Sequence, residues 1–135
     1  QAFGGAELTE LIVRQYGFAL EEAESRKRSG KLPKDYARSV LEPFLARAVQ
    51  EVGRALQFFF TSTQHSQVDH ILLAGGASAV PGLAAALHEQ TGFACTVAHP
   101  FQGMDLGSRA VDDRRAIDMP SYLPACGLAL RRFAP

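Results

Sequence analysis

The chain has 135 residues, 47% of them apolar and 21% charged, and its 14 Lys and Arg balance 14 Asp and Glu. That length suits one domain burying roughly two-thirds of its unfolded surface. A net charge of zero gives nothing to draw the chain to nucleic acid or anionic lipid, and no apolar run approaches the ~18 residues of a membrane span.

In chain order, Phe3 before Gly4-Gly5 reads as the end of a strand, and the opening lacks both an initiator Met and a signal peptide, which reads as a piece of something longer. Leu8, Leu11, Ile12 and Tyr16 recur at helical spacing and predict a helix over 7–16 ended by Gly17. A second helix over 20–28 is charged nearly all round and stops at Gly30, before a Lys31-Leu32-Pro33 linker. The longest element is predicted over 35–61. Its Val40, Leu41, Phe44, Leu45, Ala48, Val49, Val52, Leu56, Phe59 and Phe60 fall at three- and four-residue steps, with Glu42, Arg47, Gln50, Glu51, Arg54 and Gln57 on the other side. After a polar loop, an apolar strand over 68–74 runs into Gly75-Gly76. Pro81 suits the first turn of the next helix, 81–90, whose Ala84, Ala85 and Ala86 allow close packing on a sheet. A short strand over 93–98 ends at His99-Pro100, so strand, helix and strand predict a right-handed βαβ unit with parallel strands. An irregular stretch over 101–120 precedes a last helix over 121–131, and there is no internal repeat.

Two places carry chemistry. Gly75 and Gly76 at the carboxyl end of a buried strand read either as a tight α/β turn or as a backbone cleared of side chains for a flat ligand. Glu24 and Lys27 stand three apart on one helical face. They read either as an exposed ion pair or as a carboxylate accepting from a ribose diol beside an ammonium donating to sugar or base. The other candidates stay structural. Cys95 and Cys126 read as buried, reduced thiols of a cytosolic protein, and His65, His70, His88 and His99 show no ligand spacing with them, so no metal site is expected. Asp105, Asp112, Asp113 and Asp118 lie among Arg109, Arg114 and Arg115 and read as solvated ion pairs rather than a magnesium site. Phe58-Phe59-Phe60 reads as core rather than as a partner groove, with part of it exposed where the chain is truncated.

The run Ala23-Glu24-Ser25-Arg26-Lys27, followed by an apolar strand, Gly75-Gly76 and Pro81-Gly82-Leu83, resembles the actin-like ATPase superfamily. The resemblance implies that these elements form the adenosine half of a nucleotide site, with Glu24 and Lys27 on the ribose side and Gly75, Gly76, Ala77 and Ser78 under the adenine and α-phosphate. Ala79 stands where the Hsp70 branch has an Arg that stacks on the base, which implies weaker base contacts. Further stretches are similar to the PilM family of type IV pilus assembly proteins, which are FtsA-like members of that superfamily. They are Gly4-Gly5-Ala6-Glu7-Leu8-Thr9, Leu41-Glu42-Pro43-Phe44, Phe58-Phe59-Phe60-Thr61-Ser62-Thr63-Gln64, His99-Pro100-Phe101-Gln102-Gly103-Met104 and 120–131.

The resemblance implies an α/β fold: an actin-like (ribonuclease H-like) second lobe, truncated, with a small mixed or parallel sheet flanked by helices. It implies a helical part of the nucleotide-side subdomain over 1–45 and an α/β core over 46–135. It also implies a cytoplasmic ATP-binding scaffold of the type IV pilus assembly complex and of twitching motility, peripheral to the bacterial inner membrane. Its implied partners are the cytoplasmic tail of PilN, bound through the other lobe, and the pilus motor ATPases. The β- and γ-phosphate cradle and the magnesium site belong upstream in the superfamily. These 135 residues are therefore expected to bind ATP only at millimolar concentration or not measurably, and to turn none over. Apolar surface left bare by truncation is expected to pair with a second copy. Two alternatives stay open: a catalytic ATPase or kinase of the same superfamily, such as an Hsp70 or a sugar kinase, and an interaction domain that binds no nucleotide.

Overall fold

This computed structural model describes residues 4–104 and 119–131. The Phe3 strand end and the segment holding Asp105, Asp112, Asp113 and Asp118 lie outside them. The chain divides into two compact units, Gln1–Ser66 and Gln67–Pro135, where its length suggested one. The long helix falls whole within the first unit.

The first unit is helical. Helix α1 spans Gly5–Tyr16, with Glu7 in its first turn, where a carboxylate complements the helix dipole. Gly17 closes it at φ 70, a left-handed conformation that glycine adopts without strain. Helix α2, Leu20–Ser29, follows the same grammar, with Glu21 and Glu22 at its start, Arg26, Lys27 and Arg28 in its last turn, and Gly30 beyond. Tyr16 stacks on Phe18 at 5.7 Å, and the Arg26 guanidinium lies 4.4 Å over the Phe18 ring, which ties the α1–α2 corner together.

The expected helix over 35–61 runs without a break over 36–62 and widens locally near its start. A π-helical turn, Ala37–Leu41, precedes α3, Glu42–Ser62. The cause is Pro43: it has no N–H for the carbonyl four residues back, and its ring crowds that carbonyl. The chain widens instead, and the Glu42 N–H bonds Ala37 O, five residues back. The core of this unit is Leu8 and Ile12 from α1, Ala23 from α2, Val40 from the π turn, and Phe44 and Ala48 from α3. Arg47 of α3 pairs with Glu7 of α1. Beyond Ala48 the apolar stripe is half-buried at Val49, Val52, Leu56, Phe59 and Phe60, and Phe58 is exposed, so the triple Phe run lies partly in the open and not in the core.

The second unit is the expected βαβ. Strand β1, His70–Leu73, runs parallel to β2, Ala94–Val97, in the register His70↔Ala94 to Leu73↔Val97. Helix α4, Leu83–Thr91, connects them, packs on β2 and buries Leu83 and Leu87 one turn apart. Pro81 does not start this helix. Val80-Pro81-Gly82-Leu83 forms a type II turn in which Gly82 takes φ 83, ψ −8 and the Leu83 N–H bonds Val80 O at 3.2 Å, so the helix begins two residues later. Alternation along both strands leaves Ile71, Leu73, Cys95 and Val97 half-buried and His70, Leu72, Ala94 and Thr96 exposed. Cys95 and Cys126 are free thiols of intermediate exposure, not the buried ones expected. A 3-10 turn, Met119–Tyr122, leads into α5, Leu123–Leu130, whose Leu128 and Leu130 are exposed. Among the described residues no helix is long and apolar enough to cross a membrane.

Candidate functional site

In the first unit, α1 and α2 bring Glu24 and Lys27 together with a residue the sequence reading passed over, Thr9. The Lys27 ammonium donates to Glu24 Oε2 at 2.7 Å, to Thr9 Oγ1 at 2.6 Å and to Gly5 O at 3.0 Å. An ammonium has three N–H donors, so all of them end on protein acceptors. The Thr9 hydroxyl, 3% exposed, donates to Glu24 Oε2 at 2.6 Å. Arg28 donates to the other oxygen, Glu24 Oε1, at 3.1 Å. A carboxylate offers about four acceptor positions; here both on Oε2 are filled, and among the described residues Arg28 donates to Oε1. Burial alone would raise the Glu24 carboxyl, but hydrogen bonds from Lys27, Thr9 and Arg28, with the charge of Lys27, outweigh it and hold the group at about 2.

The local sequence explains this arrangement. Glu24, Lys27 and Arg28 are i, i+3 and i+4 on one helical face. Ala23 is fully buried and puts only a methyl group between the helices, so α2 lies close to the α1 backbone and Lys27 reaches the Gly5 carbonyl. Thr9 could have been found as the one hydroxyl between Leu8 and Ile12 on the buried face of α1, and Arg28 from its spacing to Glu24.

In the second unit, the Gly75–Ser78 turn follows β1. Gly75 takes φ 89, ψ 171, a region open essentially to glycine alone, and its N–H bonds Pro120 O at 3.1 Å. Ser78 is 4% exposed, and its hydroxyl donates to Gly75 O at 2.7 Å while its N–H bonds the same carbonyl at 3.1 Å. Ser78 thus braces the turn. Gly76 differs from Gly75: its φ is not positive, and a Cβ there would meet nothing within 4 Å. The backbone requires a glycine at 75 and not at 76. Ala77 is half-buried within the 3-10 turn Gly76–Ala79.

A glycine turn at the carboxyl end of a parallel strand, followed by a crossover helix, is the usual ligand-facing position in α/β proteins. The chain is of that class, with the small parallel sheet flanked by helices that the sequence predicted. A family model described as type IV pilus assembly protein PilM matches residues 1–133, and the chain belongs to that family. Among solved structures, the chain is similar to one described as a PilM-PilN type IV pilus biogenesis complex, at 28% identity and a TM-score of 0.73. That match covers 98% of this chain and 38% of the solved one, so the chain spans well under half the length of its structural relative.

Proposed function

We propose that this chain is the C-terminal part of an ATP-binding, actin-like scaffold of the type IV pilus assembly complex. It works on the cytoplasmic side of the inner membrane, where the protein holds the cytoplasmic tail of PilN and meets the pilus motor ATPases. Membership of the PilM family supports the pilus assignment, and the solved relative described as a PilM-PilN complex supports PilN as the partner.

The observation that carries the nucleotide reading is Glu24. Its carboxylate is ionised and fixed by three protein donors, and Oε1 keeps room to accept. ATP supplies a ribose diol and an anionic phosphate chain, and Glu24 Oε1 is the acceptor this chain offers to a ribose hydroxyl. Gly76 fits as well, because it leaves open space that its backbone does not require. Gly75, with Ala77 and Ser78, holds the turn that presents it. No catalytic residue is assigned to this chain.

The test is calorimetry with Mg-ATP on the full-length protein and on Glu24→Ala. A lost hydrogen bond to a charged group corresponds to about 1.5–3 kcal/mol, an affinity loss of at least about tenfold. Unchanged affinity would refute the reading. A second reading, an interaction domain that binds no nucleotide, is favoured by the Lys27 ammonium, two of whose donors hold α2 on α1 through Gly5 O and Thr9 Oγ1 while the third stays within α2 on Glu24; it predicts no ATP binding in either protein.

A further inference from the structure

We infer that Thr9 is a positioning residue of this site: its hydroxyl, with the Lys27 ammonium, occupies Glu24 Oε2 and so leaves Oε1 as the oxygen that meets a ribose hydroxyl, with Lys27 acting through Glu24 and not on the ligand. The inference rests on the nucleotide reading above.

Three observations lead to it. First, Thr9, Lys27 and Glu24 close a triangle of hydrogen bonds at 2.6, 2.6 and 2.7 Å, so the position of any one side chain depends on the other two. Second, the direction of each bond is fixed by its donors. The ammonium can only donate, the ionised carboxylate can only accept, and the hydroxyl between them therefore accepts from Lys27 and donates to Glu24. The hydroxyl has one proton and two acceptors in reach, Gly5 O at 3.0 Å and the charged Oε2 at 2.6 Å; the nearer, charged oxygen is the stronger acceptor, so the proton goes to Oε2 and fills it. Third, the three side chains differ in exposure. Thr9 is buried, the Lys27 side chain is 19% exposed and the Glu24 side chain 37%, so of the three it is Glu24 that solvent and ligands reach best. A carboxylate on a surface helix ordinarily samples several rotamers. Here one oxygen is anchored from a different helix, which removes that freedom before any ligand arrives.

The test compares Mg-ATP with Mg-2′,3′-dideoxy-ATP by calorimetry in the full-length protein. The wild type is expected to prefer ATP by about ten- to a hundredfold, the worth of one hydrogen bond to a charged acceptor. Glu24→Ala should abolish that preference. Thr9→Val and Thr9→Ala should reduce it about tenfold while the dideoxy nucleotide binds within twofold of its wild-type affinity, and Thr9→Ser, which keeps the hydroxyl, should restore it. Wild-type preference in Thr9→Val, with Glu24→Ala still blind to the ribose, overturns the inference and leaves the nucleotide reading standing. Equal weakening of both nucleotides, or failure of both the Val and Ala variants to fold, assigns the hydroxyl to the fold and overturns it too. A wild type that binds neither nucleotide, or both equally, overturns the nucleotide reading and this inference with it.

Discussion

The ionisation of Glu24 makes the stability of the first unit depend on pH in a calculable way. Its carboxyl lies at about 2, against 4.5 for an ordinary glutamate. A group whose pKa is depressed in the folded state stabilises that state above its unfolded pKa and ceases to do so as the pH falls through its folded one. The contribution is thus complete above about pH 5 and lost progressively down to about pH 2. Converted in full at ~1.36 kcal/mol per pH unit, the difference would be about 3 kcal/mol. The side chain is 37% exposed, so solvent screening reduces this to about 1–2 kcal/mol. Glu24→Gln removes the charge and keeps the shape. Urea unfolding of wild type and variant, followed by far-ultraviolet circular dichroism, should show the variant less stable by about 1–2 kcal/mol at pH 7. The two should converge near pH 2. Curves that stay parallel between about pH 5 and pH 2.5 would refute the argument that the Lys27, Thr9 and Arg28 hydrogen bonds hold Glu24 ionised.

Three further outcomes follow from the packing. Phe44 is fully buried among the first unit's helices, so Phe44→Ala should cost about 3–5 kcal/mol in urea unfolding; a loss under about 1 kcal/mol would mean that the core lies elsewhere. Gly75→Ala forces a side chain into a glycine-only conformation and should cost about 1–3 kcal/mol, whereas Gly76→Ala, with open space around its Cβ, should stay within about 0.5 kcal/mol of wild type. Equal losses by thermal melting would show that the turn does not divide its two glycines in this way. Arg47 pairs with Glu7 but its side chain is 56% exposed, so Arg47→Met should cost at most about 1 kcal/mol, an effect that 1 M salt should shrink further.

Local signals carried most of the element list because their causes are local. Gly17 and Gly30 end their helices by adopting φ 70 and 69, an intrinsic freedom that needs no tertiary partner. The apolar steps of α1 and α3 and the strand–helix–strand order gave the α/β class for the same reason: side-chain direction follows from backbone period. Where the reading slipped, two local rules competed. Pro43 sits inside a strong apolar periodicity, and periodicity says nothing about the missing N–H that opens the π turn at Ala37–Leu41. Pro81 obeys both a helix-start rule and a turn rule, and Gly82 at φ 83 decides for the turn.

The candidate site divides along the same line. Sequence alone determined that Glu24 and Lys27 share a helical face and that two glycines follow a strand, since both are consequences of spacing. Only the tertiary structure decided what those residues do with their atoms. Thr9 lies fifteen positions from Glu24 in the chain, and it reaches the carboxylate because the fully buried Ala23 lets two helices touch. The same contact spends the Lys27 donors on protein and leaves Glu24 Oε1 with room to accept. Likewise Gly75 proved obligatory and Gly76 free through dihedral angles that identical side chains cannot reveal. Hydrogen bonds between distant positions depend on how helices pack, and packing is a property of the whole fold that a residue's neighbours in sequence do not encode.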